Sequence, residues 1–277
     1  MALLGAAKIV RKRPTSDSVL PSFEPGTGEL TEPSIERDTG GPGLHDVNGN
    51  FDAKSIRHHR HLCLKILRHL DVTAPARAFD EHALPSYLHP NHLARWLFWQ
   101  RVTSCARFLS GFTEGACLDF GCGSGVMLPI LVRAFSRVYA VDPSLDAVTG
   151  FIDLWEKSGG RSLKAVSLSH DLASATIPPH SLKLIVALDV LEHVEELQKT
   201  LADLALLLAP GGVLLVSGPT ENWLYRLGRR IAGFSGHCHV RNIQDVMDEM
   251  QLLFSVKIVR RLVYPLTFFY ILEARKK

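Results

Sequence analysis

From residue 115 onward the chain alternates between two kinds of segment. Five short apolar runs, "CLDF" (117–120), "VYAVD" (138–142), "KAVSL" (164–168), "LKLIVAL" (182–188) and "GVLLVSG" (212–218), are mostly separated by stretches with helical spacing. Strand–helix alternation predicts an α/β fold, with helices covering both faces of a mostly parallel sheet. The end of the chain departs from this pattern. "VKIVRRLVYPLTFFYILEARK" (256–276) holds two strand-like runs with only "YPLT" between them. That is too short for a crossover helix, so these two strands must pair antiparallel. Five runs and two more give the expectation of a doubly wound, mostly parallel seven-stranded sheet with an antiparallel C-terminal edge hairpin.

What precedes the alternation divides in two. Residues 1–54 hold seven Gly and five Pro and no sustained apolar period, so they cannot offset the entropy of ordering and are expected to be a disordered tail. "MALLGAAKIVRKR" is too short for a secretory signal, and its charges follow the apolar stretch. The lack of acidic residues before Asp17 suits a transit peptide, but an unstructured tail is the reading adopted. Residues 55–114 read as a helical cap. "IRHHRHLCLKILRHL" places Leu62, Ile66, Leu67 and Leu70 on one stripe. His58, His59 and His61 are nearly contiguous, not spaced i, i+4 as metal ligands on a helix would be, so a solvated basic face is expected. A second helix follows Pro90 and Asn91 and carries Leu93, Trp96, Leu97, Val102 and Phe108. Its Trp96 and Trp99 either pack on residues 115–277 or line a substrate mouth.

The totals exclude some classes. A chain of 277 residues that is 46% apolar can bury a sizeable core. Its net charge of +3 is not the footprint of a dedicated nucleic-acid binder. Five cysteines, at 63, 105, 117, 122 and 238, show no disulfide spacing and read as reduced thiols in a cytoplasmic protein. No run of eighteen apolar residues occurs, so no membrane span is expected.

The first strand-to-helix turn is Asp119-Phe-Gly121-Cys-Gly123-Ser-Gly125. Three alternate glycines let a ligand lie against the backbone. A dinucleotide turn would be G-x-G-x-x-G, yet the sixth position here is Val126 and an acidic residue, Asp119, precedes the turn. That suits a ligand with an ammonium group better than one with a pyrophosphate. The second strand ends in Asp142, whose carboxylate can accept from both hydroxyls of a ribose. A ribose, an amine and no diphosphate describe S-adenosylmethionine.

The same residues carry a family likeness. "LDFGCGSG" (118–125), "VYAVDPS" (138–144), "SHDLASATIPPHSLKLIVALDVLEHV" (169–194) and "LALLLAPGGVLLVS" (204–217) resemble, in order and spacing, the motifs of class I S-adenosylmethionine-dependent methyltransferases. The resemblance spans residues 115–277. It implies that Gly121, Gly123 and Gly125 form the turn on the methionine moiety and that Asp119 sits near its amino group. It further implies that Asp142 holds the ribose, that Asp171 and Leu172 meet the adenine, and that Leu188 and Asp189 border the reactive methyl. For Asp171, a plain turn cap stays open.

After the fourth strand the chain reads Asp189-Val-Leu-Glu192, not the Asn/Asp-Pro-Pro-Tyr/Phe of enzymes that methylate base amino groups. The two-glutamate loop of protein-arginine methyltransferases is also missing. "LDVLEHV" is similar to the small-molecule group that includes the ubiquinone-biosynthesis O-methyltransferases. Asp189, Glu192 and His193 match a pattern that holds a divalent metal in some of them, but no metal is expected here. Candidate bases for a hydroxyl acceptor are His193, His237 and His239. "ENWLYRLGRRIAGF" (221–234) puts Trp223, Leu224, Leu227 and Ile231 opposite Arg226, Arg229 and Arg230, which would suit peripheral contact with a membrane and a lipophilic acceptor. The expectation is methylation of a small, lipophilic molecule, most plausibly at oxygen. Two other readings stay open: a methyltransferase acting on protein or RNA, and a cofactor-binding, non-catalytic partner protein of the same fold.

Overall fold

The computed structural model describes residues 52–73, 84–112, 114–220, 241–262 and 267–277. Its strands are β1 (Ala116–Phe120), β2 (Arg137–Val141), β3 (Val166–Ser169), β4 (Leu182–Leu188), β5 (Leu208–Pro219), β6 (Phe254–Leu262) and β7 (Phe269–Lys276). They form one sheet in the order β3-β2-β1-β4-β5-β7-β6. The first five strands pair parallel, while β7 is antiparallel to both β5 and β6. The C-terminal hairpin is thus present, and its second strand enters the sheet beside β5. This leaves β6 at the edge, where exposed Lys257, Arg260 and Arg261 and a register shift after Ile258 discourage further strand pairing.

The helices are α1 (Ala53–Thr73), α2 (Leu84–Leu88), α3 (His92–Phe108), α4 (Leu128–Ala134), α5 (Asp146–Lys157), α6 (Leu197–Leu207) and α7 (Ile243–Met250). Alternate side chains of each central strand enter opposite cores. Cys117, Val138, Leu184 and Val213 meet residues of α1, α3, α4 and α5 on one face. Leu118, Tyr139, Ile185 and Leu214 meet residues of α6 and α7 on the other. Period-two burial of this kind is what a sheet covered on both faces requires. Among the described residues, no helix is long and apolar enough to cross a membrane.

The start of α3 follows its sequence signal: the Asn91 side chain accepts from the Leu93 and Ala94 N–H groups. Trp99 is buried against Tyr87, with ring centroids 5.2 Å apart, whereas Trp96 stays 41% exposed. On α1, Ile66, Leu67 and Leu70 enter the core as their spacing predicts. The solvated histidine face needs correction at one position. His61 is exposed, but His59 is buried, because it falls one turn before Cys63 on the inward stripe. The expected tail up to residue 51, the basic amphipathic stretch 221–234, His237 and His239 lie outside the described residues.

Candidate active site

Strand order reverses between β1 and β4: β2 and β3 lie to one side, β5 to the other. Open α/β sheets bind ligands beyond the carboxyl ends of their strands at such a point. Here those ends present the glycine turn after β1, Asp142 after β2 and Leu188–Asp189 after β4.

Gly121, Gly123 and Gly125 all have left-handed backbones, with φ of 75°, 54° and 78°. The reasons for glycine differ along the turn. A Cβ at Gly121 would stand 2.4 Å from Val190 Cγ2, and one at Gly125 would stand 2.8 Å from Val148 Cγ2 on α5. Packing alone therefore demands glycine at both places. Gly123 is half-buried, and its N–H donates to Asp142 Oδ2 at 2.9 Å.

The carboxylates at this end have distinct surroundings. Asp142 is wholly buried and also accepts from the Ser144 N–H at 3.1 Å. At least two of its roughly four acceptor positions are therefore taken, one by the glycine turn and one by its own loop. Asp119 is 3% exposed, and its Oδ2 has no hydrogen-bond partner among the described residues. Burial, and then the neighbouring charge of Asp142, push the Asp119 carboxyl up to about 7. A buried acceptor with no donor costs about 1–3 kcal/mol, which a cationic ligand group would relieve. Asp171 accepts from the Ser174 N–H at 2.7 Å, a turn-forming bond that holds its carboxyl below the usual range. Leu172 points into the second core and has only its backbone left for a ligand.

At the β4 end, Leu188 is half-buried and Asp189 has a left-handed φ of 52°, a strained setting for a residue with a side chain. Asp189 Oδ1 accepts from Ser217 Oγ at 2.9 Å, and its N–H donates to the Ser217 carbonyl at 2.9 Å. Its other oxygen is ion-paired with Arg101 of α3. The Arg101 guanidinium lies 4.4 Å from the Phe98 ring centroid and 4.8 Å from that of Phe269. His193 ends a short turn (Leu191–His193) after Asp189, is half-buried, and donates its N–H to the Val190 carbonyl. Asp189, Glu192 and His193 do not converge, and among the described residues no group of three or more His, Cys, Asp or Glu is gathered for a metal.

Sequence reasoning missed Arg101, Ser217 and Phe269. Arg101 left a faint signal: it stands four residues from both Leu97 and Cys105 on an inward-facing stripe, where a charge needs a buried partner. Ser217 is the hydroxyl in an otherwise apolar central strand. Neither signal says which partner is met.

A family model described as a methyltransferase domain matches residues 78–252. A ubiquinone biosynthesis O-methyltransferase of Bradyrhizobium sp. (strain ORS 278) is 31% identical over 137 residues, 46% of this chain and 51% of that protein. The chain thus spans about half the length of the curated relatives it matches. Among solved structures, the magnesium protoporphyrin IX methyltransferase of Synechocystis PCC 6803 with bound S-adenosylhomocysteine is 21% identical with a TM-score of 0.55, covering 78% of this chain and 100% of that one. The N-methyltransferase NodS of Bradyrhizobium japonicum WM9, in complex with the same molecule, is 19% identical with a TM-score of 0.52, covering 77% and 98%. At such identities the structural likeness speaks for the fold alone.

Proposed function

Because the chain belongs to the class I S-adenosylmethionine-dependent methyltransferases, we propose that it transfers a methyl group from S-adenosylmethionine to a small-molecule acceptor, at oxygen. The observation that carries the reading is Asp119: a buried carboxylate whose Oδ2 has no hydrogen-bond partner among the described residues, at the switch point of the sheet, beside a left-handed glycine turn. An ammonium group is the partner this carboxylate lacks. Gly121 and Gly123 would face the methionine moiety, Asp142 the ribose, Asp171 and the Leu172 backbone the adenine, and Leu188 and Asp189 the reacting methyl. For Asp142 to reach the ribose, it must share its carboxylate between the ligand and the Gly123 N–H.

Bound S-adenosylmethionine supplies a methyl on a good leaving group, so the chain's main task is to position the acceptor. His193, and outside the described residues His237 and His239, are the candidates to take the acceptor's proton. The choice of oxygen and of a small molecule is supported by the relatives named as ubiquinone biosynthesis O-methyltransferases. Peripheral membrane contact through residues 221–234 would bring a lipophilic acceptor within reach.

Calorimetric titration with S-adenosylmethionine should show binding. A labelled-methyl screen of host extract, split into lipid, small-molecule, protein and RNA fractions, should place the label in the first two. Label confined to protein or RNA would overturn the small-molecule reading, and binding without transfer to any fraction would point to a non-catalytic role.

A further inference from the structure

Arg101 carries a full charge from the cap helix α3 to the carboxyl end of β4, where it meets Asp189. The two partners are unequally placed: the guanidinium side chain is 4% exposed and the carboxylate side chain 21%. Asp189 is thus the partner nearer the crevice, with Arg101 behind it. Phe98 and Phe269, whose ring centroids are 6.2 Å apart, both flank the guanidinium. Phe269 stands opposite Pro219, at the same end of β5 as Ser217. Asp189 is tied by Arg101, by the Ser217 hydroxyl and by its own N–H to the Ser217 carbonyl. These ties hold it at a φ of 52°, a setting that costs a residue with a side chain about 1–3 kcal/mol. Apolar residues of similar volume often serve a fold as well as a buried ion pair does. What this pair adds is a fixed carboxylate whose charge is offset from behind.

We propose that Arg101 is a positioning residue for Asp189 and sets how strongly that carboxylate favours the sulfonium of S-adenosylmethionine over the neutral thioether of S-adenosylhomocysteine. This rests on the reading above, in which Asp189 borders the reacting methyl. As the bond from the methyl carbon to the acceptor oxygen forms, the C–S bonding pair stays on sulfur, whose positive charge is lost, and the acceptor's proton passes to a base. A carboxylate alone at this place would hold the sulfonium better than the transition state and so oppose transfer. Arg101 offsets that charge while it keeps the carboxylate aimed. The cap helix α3 is thereby part of the methyl end of the site, although its guanidinium stands behind Asp189.

The two molecules differ at sulfur by one charge and one methyl, so the ratio of their dissociation constants reads the local potential. Calorimetry at a single pH should give that ratio for the full chain, for Asp189→Asn, for Arg101→Met and for the double variant. Asp189→Asn leaves the guanidinium charge without its carboxylate, and the ratio should turn against S-adenosylmethionine about tenfold, the scale of one nearby charge at an effective dielectric constant of about 20. Arg101→Met should turn it toward S-adenosylmethionine by a similar factor. The double variant should return to the wild-type ratio, and affinity for S-adenosylhomocysteine should change little throughout. Lost packing alone weakens both molecules together and cannot give opposite shifts. If Arg101→Met does not fold, the double variant compared with Asp189→Asn reads the same charge. A ratio that stays constant across the folded variants, or that moves the same way in both single variants, would sink the proposal while leaving the function standing. A wild-type chain that binds neither molecule would overturn the function, and the proposal with it.

Discussion

At the β1–β2 end of the crevice, the groups proposed to hold the cofactor come largely from one contiguous unit, residues 119–144, bonded to itself through Gly123–Asp142 and Ser144–Asp142. At the β4–β5 end, Asp189 is held by Ser217 of β5 and by Arg101 of α3, which is in turn lodged against Phe98 and Phe269 of β7. The first end is set by local backbone demands and is largely self-contained. The second exists only while α3 packs on the sheet through Leu97, Leu262 and Phe269. The cofactor contacts at the β1–β2 end should therefore survive damage that ruins the β4–β5 end.

The largest effect should come from breaking the distant end. Arg101→Met leaves the Asp189 carboxylate, only 21% exposed, without its guanidinium partner. Removing one partner of a buried pair costs about 3–5 kcal/mol, and the partial exposure puts the expected loss near the low end. Denaturant unfolding should show it, and Arg101→Met with Asp189→Asn should recover most of it. A loss below about 0.5 kcal/mol would mean the pair is already solvated.

At the local end, Gly123→Val should abolish S-adenosylmethionine binding in a chain still folded by circular dichroism. The left-handed φ of 54° alone costs a branched residue about 1–2 kcal/mol, and the side chain fills space the ligand needs. Normal binding by the folded variant would place the ligand elsewhere. Next in size, Asp142→Ala should weaken binding by about 1.5–3 kcal/mol, the scale of hydrogen bonds to a charged group. Because it also frees the Gly123 N–H, faster amide exchange at Gly123 should accompany it. Weaker binding with unchanged exchange would mean Asp142 serves the ligand alone.

Two buried titrations sharpen the comparison through pH. The Asp119 carboxyl is raised to about 7 from 3.8, so the stability it lends the free protein is full below 3.8 and is lost as pH rises through 7. The His59 ring is lowered to about 4 from 6.5, so its stability is full above 6.5 and is lost as pH falls through 4. In the shared window the two slopes oppose. Relative to wild type, Asp119→Asn should gain stability with rising pH between 4 and 6.5, and His59→Phe should lose it, each by at most about 1.4 kcal/mol per pH unit. Differences that stay flat with pH would show that these groups titrate normally. An ammonium ligand favours ionised Asp119, so S-adenosylmethionine should bind more tightly at pH 8 than at pH 6. The smallest effect is expected at Asp171, where Asn keeps the bond from the Ser174 N–H. Stability should stay within about 0.5 kcal/mol, and any change in binding would report contact with the adenine.

Several features followed from the sequence alone. The strand–helix alternation required a parallel sheet, the four-residue spacer required an antiparallel hairpin, Asn91 marked a helix start, and the alternate glycines marked the first strand-to-helix turn. Each rests on contiguous residues, because backbone angles, hydrogen-bonding periods and loop reach are local properties of a chain. The tertiary structure decided what those residues meet. It gave Gly121 and Gly125 to packing against Val190 and Val148, and Gly123 a bond to Asp142. It turned His59 from the expected solvated face into the core between Trp99 and Trp155, and it joined Arg101 to Asp189. A side chain's burial and partner depend on which distant surface folds over it, and no periodicity in the chain records that.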